Sequence, residues 1–190
     1  SKDLINKYKR VEFAANSSEV HARNMTSYFA RMYQGRYLAG ALAGMRTNTN
    51  VIGYVAAMSN SEVNRGINAF TLGVMRTNPK AKVVVMWTGA WRDDEIEAKN
   101  TRKLIEQANA DVITSHTDYT VTCDVADELG VDYIAYNIEP QNPSEHHLTT
   151  ILCRWDIFYE NMLALYLKGE LNHVKNYWLG IKQGVVDLSP

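Results

Sequence analysis

The side chains of this sequence that could do chemistry fall at the ends of short apolar runs. Val83-Val84-Val85-Met86 is followed by Trp87, by Thr88-Gly89-Ala90, and then by Trp91-Arg92-Asp93-Asp94. An indole there either stacks on a flat ligand or packs beneath the next helix. Asp111-Val112-Ile113-Thr114 leads to Ser115-His116-Thr117-Asp118. His116 and Asp118 could act as an acid–base pair, bond a ligand or cap the following helix. Val131 to Tyr136 ends in Asn137, Ile138 and Glu139, and Val51 to Ala57 ends in Met58 and Ser59. Arg154 beside Trp155 is either a ligand clamp or an ordinary surface ion-pair partner.

Other chemistries lack their parts. There is no GxGxxG after a strand, no GxxxxGK[ST] and no GxSxG. His146-His147 stands in a polar loop without a cysteine or acid at metal-ligand spacing. Cys123 and Cys153 also lack that spacing and read as small buried hydrophobes. No catalytic residue, metal or cofactor is therefore expected.

The 190 residues suffice for one ordinary domain or two small lobes. A hydrophobic content of 46% against 22% charged residues predicts a packed core. The net charge of −1 comes without a basic patch, which argues against a nucleic-acid partner. No run of about 18 apolar residues encodes a membrane span.

The elements that must position these side chains follow from periodicity. A short strand is expected over 11–15, a polar stretch over 16–24, and a helix from Met25 to about Met45. Gly35, Gly40 and Gly44 in that helix imply close backbone packing. Strand 51–58 precedes a helix over 62–76, capped from Ser59-Asn60-Ser61 and ended by Asn78-Pro79. The continuous run 83–86 reads as a strand covered on both faces, and Asp93 and Asp94 open a helix to about residue 109. Strand 111–114, helix 119–129 with Gly130 as its stop, and strand 131–136 follow. Residues 51–139 thus read as βαβαβαβ, a parallel sheet covered on both faces. Its strand ends bring Met58, Trp91, His116, Asp118, Asn137 and Glu139 to one edge, where this architecture binds ligands. A strand over 148–153, a helix over 154–168, an extended piece over 176–182 and a closing hairpin at 185–188 complete the chain.

Several segments together resemble the basic membrane protein family of substrate-binding lipoproteins of bacterial ABC transporters, related to the purine nucleoside receptor. They are Tyr37-Leu38-Ala39-Gly40, Ile52-Gly53-Tyr54-Val55, Gly66 to Gly73, Asn78-Pro79, Trp87 to Asp93, Ala110 to Ile113 and Gly180 to Val186. The resemblance implies an α/β, type I periplasmic-binding-protein-like fold with two three-layer α/β/α lobes and parallel sheets. Residues 1–48 would be the remainder of lobe one, 51–139 lobe two, and 145–190 the return to lobe one. The first βα units of lobe one would be missing, as in an N-terminally truncated member. The resemblance further implies an extracytoplasmic solute-binding component that passes a purine nucleoside or nucleobase to ABC permease subunits. Its membrane attachment would be a lipid anchor absent from this chain, and the shortened lobe could support a homodimer. Carried over by position, Trp91 would stack the base, Asp118, Asn137 and Glu139 would make the polar contacts, and Met58 would line the pocket. Glu139 stands where the family carries aspartate. A small-effector sensor or regulatory protein on the same fold is the alternative. A nucleoside-processing enzyme using Asp118 or Glu139 is a third reading, but no nucleophile or activated base supports it.

Overall fold

The computed structural model describes residues 2–18, 20, 22–171 and 176–190. Residues 19 and 21 of the expected polar stretch, and 172–175 of the expected return 145–190, lie outside the described residues. The elements in chain order are α1 (Lys2–Lys7), β1 (Phe13–Asn16), β2 (Met25–Ala30), α2 (Met32–Arg46), β3 (Val51–Ala56), α3 (Ser61–Thr77), β4 (Lys82–Trp87) and α4 (Asp94–Glu106). They continue with β5 (Val112–His116), α5 (Val121–Glu128), β6 (Asp132–Tyr136), β7 (His147–Cys153), α6 (Trp155–Leu167), β8 (Asn176–Leu179), a 3-10 turn (Ile181–Gln183) and β9 (Val186–Leu188). The chain divides into two compact units, Ser1–Arg31 with Cys153–Val186, and Met32–Leu152 with Asp187–Pro190.

The larger unit is built on a sheet with strand order β4-β3-β5-β6-β7-β9. The pairs β4·β3, β3·β5, β5·β6 and β6·β7 are all parallel. β3 is buried along its whole length, which its run Val51-Ile52-Gly53-Tyr54-Val55-Ala56 requires. β4 differs from the expectation of a strand covered on both faces. It is an edge strand, only half-buried, with Lys82 and Trp87 exposed. The register places Ala56 opposite both Trp87 and His116, so three strands end in one row. The core under the sheet gathers Val55, Leu104, Ile113, Cys123 and Tyr133.

Helix α2 begins only at Met32. Met25–Ala30, expected as helix, is instead β2, the middle strand of a three-stranded parallel sheet in the other unit. Thr26, Tyr28 and Phe29 suit a pleated strand better than a helix. The compact units divide at Arg31/Met32, Leu152/Cys153 and Val186/Asp187. α2 belongs with α3 because glycines let the two backbones touch. A Cβ on Gly40 would strike the Phe70 carbonyl, and one on Gly73 the Tyr37 carbonyl.

The smaller unit packs Tyr28 of β2 against Trp155, Phe158 and Tyr159 of α6. The outer side of α6 leaves Leu163, Tyr166 and Leu167 exposed, Leu167 by 75%. The expected closing hairpin does not form. β8 pairs with β2, whereas β9 lies beside β7 in the large sheet. Left-handed Gly184 turns the chain between them. Ser189 fastens the far end: its hydroxyl accepts from the Thr150 N–H and its carbonyl from the Thr149 hydroxyl, both at 2.8 Å.

The helix contact gives a stability prediction. Gly73→Ala forces a methyl into the Tyr37 carbonyl and should cost about 1–3 kcal/mol. Urea unfolding followed by circular dichroism measures it; no loss would show that the two helices can separate freely.

Candidate functional site

The carboxyl edge of the large sheet is assembled by two capped helices and one buried acid. Asn60 caps α3, its side-chain oxygen accepting from the N–H groups of Glu62 at 3.0 Å and Val63 at 2.9 Å. Asp93 caps α4 by accepting from the Ile96 N–H at 3.0 Å. Glu97, one turn into α4, is fully buried. It accepts from the Asp93 N–H at 3.2 Å and from the Thr117 hydroxyl at 2.8 Å. Burial pushes its carboxyl pKa up, and those hydrogen bonds oppose the rise. Glu97 therefore ties the loop after β4 to the residue after β5.

That loop carries Trp91, and it is fixed at several points. The Thr88 and Gly89 N–H groups donate to the carbonyls of Ala56 and Ala57 at 2.9 and 2.8 Å. The Thr88 hydroxyl donates to the Ala90 carbonyl at 2.6 Å, and Gly89 turns in the left-handed region. The Asp118 N–H donates to the Trp91 carbonyl at 2.9 Å. Trp91 and Asp118, named from the sequence, are thus neighbours through their backbones, and the Asp118 side chain is exposed. Trp91 is half-buried and not wholly covered by the helix.

Behind Trp91 lies a cluster that the sequence did not assemble. His116 is only 2% exposed and sits inside β5, not after it. Its ring meets Trp91 edge-on at 5.9 Å and Tyr136 at 4.6 Å. Nδ1 lies 3.5 Å from the Tyr54 hydroxyl, and Nε2 faces Glu62 at 4.0 Å without a hydrogen-bond partner. Arg36 of α2 is fully buried beside them. Its Nη1 donates to the Ser115 carbonyl at 2.8 Å, and its guanidinium lies 3.8 Å over the Tyr136 ring and 5.4 Å from the Tyr54 ring. Nε and Nη2 have no hydrogen-bond partner among the described residues.

The electrostatics follow from burial beside a fixed cation. Burial, reinforced by Arg36, pulls His116 down to about 2. The imidazole is therefore neutral at ordinary pH, and its approach to Glu62 is not an ion pair. Burial raises the Glu62 carboxyl, with Arg36 and Arg65 opposing and Asp118 adding to the rise. Burial lifts the Tyr136 hydroxyl to about 12. The cluster thus combines a neutral imidazole and two tyrosines with a buried guanidinium, and Glu62 stands partly exposed at its rim.

The remaining expected residues lie on the same edge but outside this cluster. Met58 is half-buried just beyond β3. Asn137 and Glu139 are exposed after β6, Asn137 in the left-handed region with its N–H donating to the Ile151 carbonyl at 2.8 Å. His116 and Asp118 make no acid–base pair, because the ring turns to Tyr54 and Glu62. Asp118 does not cap α5 either: that place falls to Thr120, which makes no side-chain cap bond. Arg154 forks onto Asp156 at 2.8 and 3.0 Å. His146 bonds Asp132 and His147 bonds Thr150. Cys123 is buried in the core, and both cysteines are free.

The parallel α/β sheet, with an indole and polar side chains at its carboxyl edge, has the type I periplasmic-binding fold. A solved ABC transporter solute-binding protein from Conexibacter woesei superposes with a TM-score of 0.81 at 18% identity, over 99% of this chain and 64% of that one. The chain belongs to the Bmp family, ABC transporter substrate-binding proteins of the PnrA-like type, whose profile matches residues 1–190. A purine-binding protein from Brucella abortus is 33% identical over 194 aligned residues, 98% of this chain and 53% of that protein. A Haloferax volcanii protein with the provisional description of an ABC transporter glucose-binding protein is 36% identical over 163 residues, 85% of this chain and 41% of that one. The chain spans about half the length of these relatives.

The depressed His116 pKa gives a pH prediction. Below about pH 6.5 the unfolded chain binds a proton at this position that the folded chain refuses. Stability should therefore fall with decreasing pH, by about 1.4 kcal/mol per unit between roughly pH 6.5 and 4.5 from this group. Urea titrations of the protein and of His116→Asn should differ in slope by that amount over this window. Parallel slopes would mean that His116 accepts a proton in the folded state.

Proposed function

We propose that this protein is the solute-binding component of an ABC importer, working outside the cytoplasm, and that its ligand is a purine nucleoside or nucleobase. The observation that carries the reading is Trp91, held half-exposed by a pinned loop beside a polar strand edge. An aromatic face binds a nucleobase by stacking, and a few hydrogen bonds at its rim add orientation. In this reading Trp91 stacks the base, Asp118, Asn137 and Glu139 bond the ribose or the base edge, and Met58 contributes an apolar wall. The named function of the Brucella abortus relative favours a purine.

A sugar ligand is the second reading. The Haloferax volcanii relative's description favours it, and exposed carboxylates such as Asp118 and Glu139 also suit sugar hydroxyls. The two differ in what they demand of Trp91 and in the compound bound.

Isothermal calorimetry against adenosine, guanosine, inosine, their free bases and glucose tests both. A purine should bind saturably, and Trp91→Ala should weaken it by about 1–3 kcal/mol, roughly 5- to 150-fold. Binding of glucose with silence from every purine would replace the first reading by the second.

A further inference from the structure

Glu62 does not figure among the purine contacts proposed above, yet it is the acid that reaches the cluster behind Trp91. It stands in the first turn of α3, aimed by the Asn60 cap, with its side chain 36% exposed. Its Oε1 lies 4.0 Å from His116 Nε2, too far for a hydrogen bond. That nitrogen has no other partner, although His116 is almost completely buried. A buried polar atom left open in this way is costly and points to a missing partner. Trp91 meets the same imidazole edge-on, with the ring centroids 5.9 Å apart. We propose that Glu62 and His116 Nε2 form the edge-reading wall of the Trp91 site and select a guanine-type purine, one with a 6-oxo and a 2-amino group.

The proposal rests on the purine reading and adds the choice among purines. The Tyr54 hydroxyl faces His116 Nδ1. When it donates to that atom, the imidazole proton resides on Nε2. Nε2–H is then a donor and the Glu62 carboxylate an acceptor, side by side. The guanine edge presents O6 as an acceptor, followed by N1–H and the 2-amino group as donors. O6 takes the Nε2–H, and the carboxylate takes N1–H and the amino N–H as a paired contact. Burial raises the Glu62 carboxyl, and Arg36 opposes that rise, in the direction of the ionised form this contact needs. Adenine presents its donors and acceptor in the reverse order, so its N1 lone pair would face the carboxylate. Hypoxanthine keeps O6 and N1–H but lacks the amino group and loses one contact.

Calorimetry with guanosine, inosine and adenosine on the protein and on Glu62→Gln tests this. Glu62 is a partly exposed residue on the first turn of α3, and a thermal melt checks that the variant is folded. The protein should bind guanosine tightest, inosine next and adenosine weakest. Glu62→Gln should weaken guanosine by about tenfold or more and leave adenosine bound as well or better, because the amide can donate to N1 where the carboxylate could not. Equal affinity for guanosine and adenosine, or an unchanged ratio in Glu62→Gln, would overturn the proposal while leaving purine binding intact. Silence of the unaltered protein toward every purine would instead overturn the purine reading, and the assignment of Glu62 with it.

Discussion

A buried, permanent charge organises the carboxyl edge of the sheet in the larger unit. The Arg36 guanidinium carries its charge out of water. Transferring such a group inside is costly unless neighbours compensate. Here the compensation comes from one carbonyl, that of Ser115, and from the faces of Tyr136 and Tyr54. None of these neutralises the cation, so its field reaches the titratable groups around it. It helps keep His116 neutral and opposes the protonation of Glu62. A site meant to read hydrogen-bond direction needs groups with one settled protonation state, and a fixed cation supplies that condition.

The cation can be where it is only because two helices nearly touch. Gly40 and Gly73 remove the side chains that would hold α2 and α3 apart. α3 in turn lies so near β5 that a Cβ on Gly66 would stand 3.2 Å from His116 Nδ1. The same close stacking brings Arg36 from α2 and Glu62 from α3 to one imidazole. Glu97 performs the corresponding task on the other side, where it ties the Trp91 loop to the end of β5 through Asp93 and Thr117. Stability and site geometry therefore share residues, and a change at Gly73 reaches the site through α3.

Much of this was legible in the sequence. α3 and β6 follow the 3.6-residue and strand signals closely, and Asn60, Asp93 and Gly130 occupy the cap positions that their chemistry suggests. The parallel sheet and the residues along its carboxyl edge follow from the order of the runs. β2 was missed because Met25–Ala30 carries no charge or turn residue to separate it from the helix that starts two residues later. β9 was misplaced because three residues hold no information about a distant partner strand. Arg36 left a signal that was readable. The buried positions of α2 are Met32, Gly35, Arg36, Ala39, Gly40, Ala43 and Gly44. A helix stripe otherwise made of small and apolar residues contains one arginine, and such a charge must find a partner inside. Glu62 left no such signal, because an acid in a first helical turn is fully explained by the helix dipole.

The contrast between exposed and buried polar groups decides which residues can discriminate between ligands. Asp118, Asn137 and Glu139 are exposed, so water competes for each of their hydrogen bonds and replaces a lost contact at little cost. In the proposed site they would strengthen binding but distinguish poorly between closely related molecules. Glu62 and His116 are progressively withdrawn from water, and a mismatched ligand leaves them unpaired. An unsatisfied buried group costs more than a matched one gains, and specificity arises from that asymmetry. On the proposed reading, the most discriminating part of this edge therefore lies behind the tryptophan, where α2, α3 and β5 converge, and not on the loops that sequence motifs bring to attention first.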